Sequence, residues 1–149
     1  MKFATLAIPP VLSLLPSLVR AIIVSYDEAY DVPSASLTTV ACSDGPNGLL
    51  TRGYTTFGSL PKFFHIGGWV GVEGWNSPQC GSCHQLTFTD VTSGVKKTIN
   101  ILAIDSTSLG FNIALGAMNE LTGGRGKALG KVNATDITVR PSVCGLNCK

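Results

Sequence analysis

The stretch ILAIDSTSLGFNIALGAMNELTGG, Ile101 to Gly124, constrains the fold more than any other part of this chain. An apolar run leads straight into a single carboxylate, Asp105, and a Ser/Thr/Gly turn follows before the apolar spacing becomes helical. Carboxylates are seldom embedded in apolar runs unless they are hydrogen-bonded, paired or functional, because an unpartnered buried charge is costly. Thr98 to Ile104 is nearly continuous in apolar residues and predicts a central strand buried on both faces. Ile113, Ala114, Ala117, Met118 and Leu121 recur at helical spacing. That pattern predicts a helix over Asn112 to Thr122, with Asn112 as N-cap and Gly123-Gly124 as the stop. Asp105 stands at the mouth of a structure otherwise made of buried backbone, and the search for chemistry begins there.

Around this segment strands outnumber helices. His84 to Asp90 and Asn133 to Arg140 alternate polar and apolar residues, as half-buried strands do, and the second stops at Pro141. Ser36 to Cys42 is a weaker strand, and a short helix is expected from Ser59 over Leu60 to Phe64. Only 13% of the 149 residues are charged, while 17 glycines and 8 prolines supply many turns. One domain of mainly β structure with short helices fits that composition better than a helix bundle.

Residues 1–21, MKFATLAIPPVLSLLPSLVRA, carry Lys2 and then an apolar stretch broken by Pro9, Pro10 and Pro16 and closed by the small Ala21. This is the pattern of a secretory signal peptide, too short and too broken for a membrane span. The mature domain is then expected over residues 22–149, its start placed near Ile22 to Ser25. Loss of Lys2 and Arg20 takes the 11 basic residues to 9, against 9 acidic, so the formal charge of +2 falls to zero. A neutral domain has no electrostatic footprint for nucleic acid or anionic lipid and points to neutral partners, such as polysaccharides or apolar surfaces.

Five cysteines remain in that domain: Cys42, Cys80, Cys83, Cys144 and Cys148. In a secreted domain they imply structural disulfides, two bonds and one leftover thiol, with the pairing left open by spacing alone. Cys80-Gly81-Ser82-Cys83 has redox-type spacing, and with Cys144 and Cys148 it could supply zinc thiolates. A β-like HQLTFT follows where a redox motif needs a helix, and an oxidising compartment disfavours a thiolate cage. No metal and no cofactor are expected.

Catalytic signals are thin. The two histidines, His65 and His84, read as packing or surface residues, and no nucleophile elbow, metalloprotease, P-loop or dinucleotide motif occurs. Glycoside hydrolysis ordinarily needs two carboxylates flanking the bond. Glu120, Glu73 and Asp44 are the other acids in view, and none is evidently aimed at Asp105. One carboxylate is enough to bind sugar hydroxyls. Trp69, Trp75 and Tyr54 suit stacking on sugar rings, or equally the core. Asn133-Ala134-Thr135 is an N-glycosylation sequon.

The segments VSYDEAYD (24–31), VACSDGPNGL (40–49), GYTTFGSLP (53–61), IGG (66–68), GWNSPQCGSC (74–83), AIDSTSLGFNIALGAMNELTGG (103–124) and SVCGL (142–146) together resemble the cerato-platanin family, in order and over essentially the whole mature chain. The resemblance implies a six-stranded double-psi β-barrel, as in barwin-like domains and the first domain of expansins, braced by disulfides Cys42–Cys80 and Cys83–Cys144. Cys148 departs from the family's four-cysteine pattern. Members of the family are secreted or wall-associated fungal proteins that bind chitin oligomers built from N-acetylglucosamine. They loosen cellulosic or chitinous cell-wall polysaccharide without clear hydrolysis, self-assemble at hydrophobic interfaces, and provoke plant defence, which implies a plant receptor as partner. By similarity Asp105 matches the groove aspartate, with Asp44, Asn47, Tyr54, Ser106 and Asn112 as neighbouring carbohydrate-binding positions.

Three functions follow as expectations. The first is a non-catalytic carbohydrate-binding protein with expansin-like loosening activity and an elicitor role. The second is a glycan-cleaving enzyme using Asp105, and the third a surface-active, self-assembling protein.

Overall fold

The computed structural model of the protein describes residues 20–147. The expected leader lies outside that range except for Arg20 and Ala21, which open the first strand, and Cys148 lies outside it as well. The strands are β1 (Arg20–Tyr26), β2 (Ile66–Trp69), β3 (Cys83–Thr89), β4 (Lys96–Ser106), β5 (Phe111–Ile113) and β6 (Lys131–Val139). They close into a barrel in the order β1-β5-β2-β4-β3-β6. The β1–β5 and β2–β4 pairs are parallel and the rest antiparallel. This is the six-stranded double-psi barrel, with two short helices, α1 (Leu115–Thr122) and α2 (Gly126–Leu129), and short 3-10 turns between strands.

Alternation along β3 puts Leu86 in the core, and the apolar centre of β4 is buried on both faces from Ile101 to Ile104. β2 is the closing strand. It runs parallel to β4 on one side and antiparallel to β5 on the other, with a register shift between Gly67 and Gly68. A Cβ at Gly67 would lie 2.5 Å from the Asn112 carbonyl oxygen, so only glycine lets the neighbouring backbones approach this closely.

Three local expectations are corrected. Phe111 to Ile113 is a strand, and the helix starts at Leu115, because pairing with β1 and β2 buries Phe111 and Ile113 in the barrel and overrides their helical spacing. Asn112 therefore is no N-cap. Asp31 takes that role from a distance: its carboxylate accepts from Leu115 N at 2.6 Å and Gly116 N at 2.8 Å. Ser36 to Cys42 is a 3-10 turn, Leu37–Thr39, since Ser36 Oγ accepts from Thr38 N and curls the chain. The helix expected from Ser59 is a 3-10 turn, Phe57–Ser59, that ends at an extended Leu60, as the residue before Pro61 requires.

Two disulfides, Cys42–Cys80 and Cys83–Cys144, tie the long connections to the barrel, spanning 38 and 61 residues. Both match the pairing the family resemblance implies. Among the described residues no helix is long and apolar enough to cross a membrane.

The capping role of Asp31 is testable. Asp31→Ala leaves two backbone N–H groups at the start of α1 unpartnered and should lower the unfolding free energy by about 1–2 kcal/mol. A urea melt with an unchanged slope and a lower midpoint is the expected result.

Candidate functional site

Asp105 ends the buried part of β4 and is half-buried. Its Oδ1 accepts from Ala41 N at 2.9 Å and from Ser106 N at 2.8 Å, and its Oδ2 accepts from the Tyr30 hydroxyl at 3.0 Å. The Ala41 donor is held in place from the next residue, where Cys42 N donates to Ile104 O and the Cys42 side chain is bonded to Cys80. One further acceptor direction on Oδ2 remains for a ligand. Asp105 faces a recess of about 290 Å³ formed with Asp27, Tyr30, Thr39, Val40 and Phe57.

Tyr30 is the residue here that sequence reading passed over. It is 7% exposed, and its ring lies 6.1 Å from that of Phe57. Burial first, and then the charge of Asp105 and the hydrogen bond to it, push the phenol well above its ordinary 10.0. The only trace in the sequence is its place in VSYDEAYD, 75 residues before its partner.

Asn112 belongs to the same face. Gly68 of β2 is registered with Asp105 on one side and with Asn112 on the other, and Asn112 is registered in turn with Ser25. Ser25 Oγ donates to Asn112 Oδ1 at 3.0 Å. A polar row thus crosses four strands, Ser25–Asn112–Gly68–Asp105, with the side-chain-free Gly68 in the gap. Strand spacing puts Asn112 and Asp105 roughly 10 Å apart. Ser106 is exposed beside Asp105.

The other nominated positions have partners of their own. Asp44 and Asn47 hold the loop that carries Trp75. Asp44 Oδ1 accepts from Trp75 Nε1 at 2.5 Å, and Asn47 donates from N to Asn76 Oδ1 and from Nδ2 to Asn76 O, each at 3.0 Å. The Trp75 hydrogen bond is the main reason the Asp44 carboxyl titrates below its usual range. Tyr54 is half-buried and packs against the core. Asp105, Ser106 and Asn112 thus stand on one face, Asp44 and Asn47 bond the Trp75–Asn76 loop, and Tyr54 packs half-buried against the core.

One further constellation has the connectivity of an acyl-transfer triad. Ser82 Oγ lies 3.0 Å from His84 Nε2, and His84 Nδ1 lies 3.0 Å from Asp136 Oδ1. The imidazole is wholly buried, with the Trp69 ring 4.0 Å and the Phe111 ring 5.1 Å from it. Packed against both rings, the imidazole is screened from solvent. The trio satisfies a core histidine at both nitrogens, and Trp69 is its lid rather than a platform for ligands. His65 pairs with Glu120 at 2.7 Å and joins the entry of β2 to α1. Among the described residues no group of three His, Cys, Asp or Glu side chains is placed to hold a metal ion.

Fold and site define a small, disulfide-braced β-barrel protein with a recess, holding Asp105, beside the end of a central strand. The family model Cerato-platanin matches residues 22–146. The chain belongs to the cerato-platanin family. It is 48% identical over 122 residues to the heat-stable 19 kDa antigen of Coccidioides immitis, covering 82% of this chain and 80% of that protein. Among solved structures, cerato-platanin 1 of M. perniciosa superposes with a TM-score of 0.80 at 48% identity, covering 83% of this chain and 99% of that one. The solution structure of the fungal elicitor cerato-platanin gives a TM-score of 0.71 at 36% identity, covering 83% and 96% of the two chains.

The Tyr30–Asp105 pair carries a pH signature. The folded state keeps the phenol protonated above its ordinary value of 10.0, so the unfolded chain loses that proton first. The contribution of Tyr30 is complete below pH 10 and is lost progressively as the pH rises beyond it. Chemical denaturation between pH 9 and pH 12 should show stability falling at the alkaline end, with a flatter profile in Tyr30→Phe.

Proposed function

We propose that this chain is a secreted, non-catalytic carbohydrate-binding protein that takes chitin or other N-acetylglucosamine oligomers, and related cell-wall polysaccharide, on the face around Asp105. The observation that supports this most is the state of Asp105 itself. Both its oxygens are engaged by fixed donors, and what is left is a single acceptor aimed into a small recess. A lone acceptor fits a sugar hydroxyl, and Asn112 and Ser106 offer further polar contacts on the same face. Binding there competes with chain-to-chain hydrogen bonds in a polysaccharide, which is a physical route to loosening without cleavage. Kinship with a protein described as a fungal elicitor supports perception by a plant receptor as a second consequence. Residues 1–21 are the leader in this reading, and the mature domain is 22–149. Val24, the wholly buried residue of β1, is retained after cleavage there.

A second reading is a glycan-cleaving enzyme, because Asp27 lines the same recess and supplies the second carboxylate that sequence reading did not find. Asp27 Oδ1 is occupied by Ala29 N at 2.9 Å, the local turn contact of an N-cap. A third is surface activity, favoured by Val91 and Val95, which are 97% and 52% exposed where the chain turns from β3 to β4.

Asp105→Asn separates these readings. Its Oδ1 still accepts from Ala41 and Ser106, while Nδ2 replaces the acceptor that faces the recess. Titration with N-acetylglucosamine oligomers should show affinity falling about tenfold, the size of one hydrogen bond to a charged group, with no new reducing ends from either protein. Release of reducing ends by the wild type favours the enzyme. Film formation at an air–water interface, with no sugar binding, favours the third reading. For the leader, the secreted protein should begin between Ile22 and Ser25 on N-terminal sequencing.

A further inference from the structure

Trp75 is the most exposed aromatic ring the structure records, at 64%, yet it is not loose. Its indole nitrogen is fixed by Asp44. The loop beneath is locked to the 43–47 turn by both Asn47–Asn76 hydrogen bonds. Gly45, at φ +78°, passes under the benzo edge: a Cβ there would lie 3.2 Å from the ring and 2.9 Å from Asn76 Oδ1. A large apolar surface held rigid in water is costly unless something covers it. Polar groups flank the ring, Asp44 at the indole nitrogen and Asn76 next in the chain, and Val72, three residues before Trp75, is buried.

From this geometry we infer that Trp75 is the stacking platform of a second sugar subsite, apart from the Asp105 recess, for a β-linked pyranose. The inference rests on the carbohydrate reading above and extends it. A β-linked, gluco-configured ring carries its substituents equatorially and presents a flat face of C–H bonds. That face lies on the indole, while ring hydroxyls reach the rim, where the second carboxylate oxygen of Asp44 accepts. A rigid ring loses no rotamer freedom on binding, so the pinning by Asp44 is what makes the platform effective. Trp69 packs tilted against His84 and, like Tyr54, is half-buried.

The test uses hexamers of N-acetylglucosamine and of β-1,4-linked glucose, with α-linked maltohexaose as the mismatched shape. In the wild-type protein, the NMR signal of the Trp75 indole N–H should shift on adding a matched hexamer, while that of Trp69 stays put. Trp75→Ala should weaken the matched hexamer about tenfold, and Trp75→Phe should recover part of the loss. Which hexamer moves the signal tells chitin-type from cellulose-type ligand. Wild-type binding that is unchanged in Trp75→Ala, with a silent Trp75 signal, overturns the platform and leaves the Asp105 reading intact. No binding of any hexamer by the wild type overturns both. Equal binding of maltohexaose overturns the stated ligand class.

Discussion

The close approach of β2 to its two neighbours is the constraint on which the rest of this structure depends. Four residues, Ile66–Trp69, join β4 to β5, and the barrel is closed because they fit. Gly67 permits the backbone contact, and the shift of register at Gly68 sets which residues stand beside one another on the outer face. Asp105 and Asn112 share a polar row only because β2 passes between them. A side chain at Gly67 would push Asn112 away and open the barrel where the recess begins.

What was legible in the sequence follows from how each element gets its stability. β3, β4 and β6 are seven or more residues long and carry their own pattern, so alternation or an apolar run reveals them. β2 and β5 have four and three residues and are strands only by virtue of their neighbours. Helical spacing at Ile113 was real, yet two flanking strands outweighed it. β1 was hidden for a different reason, since its apolar residues run on from an apolar leader and periodicity cannot mark the join.

The site divides similarly. Asp105 announced itself as a charge in an apolar run, and that signal is local. Tyr30 is no less essential to the arrangement, but its meaning lies in a partner 75 residues away, which no window on the sequence reaches. Family resemblance supplied Asp44 and Asn47 beside Asp105. In the structure their hydrogen-bond partners include Trp75 and Asn76, contacts that the resemblance did not name.

The pairing of β1 has a bearing on when the barrel can form. Its partners are β5 at residues 111–113 and β6 at residues 131–139, so the first strand has nothing to pair with until almost the whole chain is present. Contacts this distant in sequence make folding slow, because loop closure precedes any gain from pairing. A chain made from its N-terminus therefore keeps β1 unpaired until residues 111–113 and 131–139 have emerged. Of the two disulfides, spanning 38 and 61 residues, Cys42–Cys80 lies wholly before the last strand, while Cys83–Cys144 closes over it.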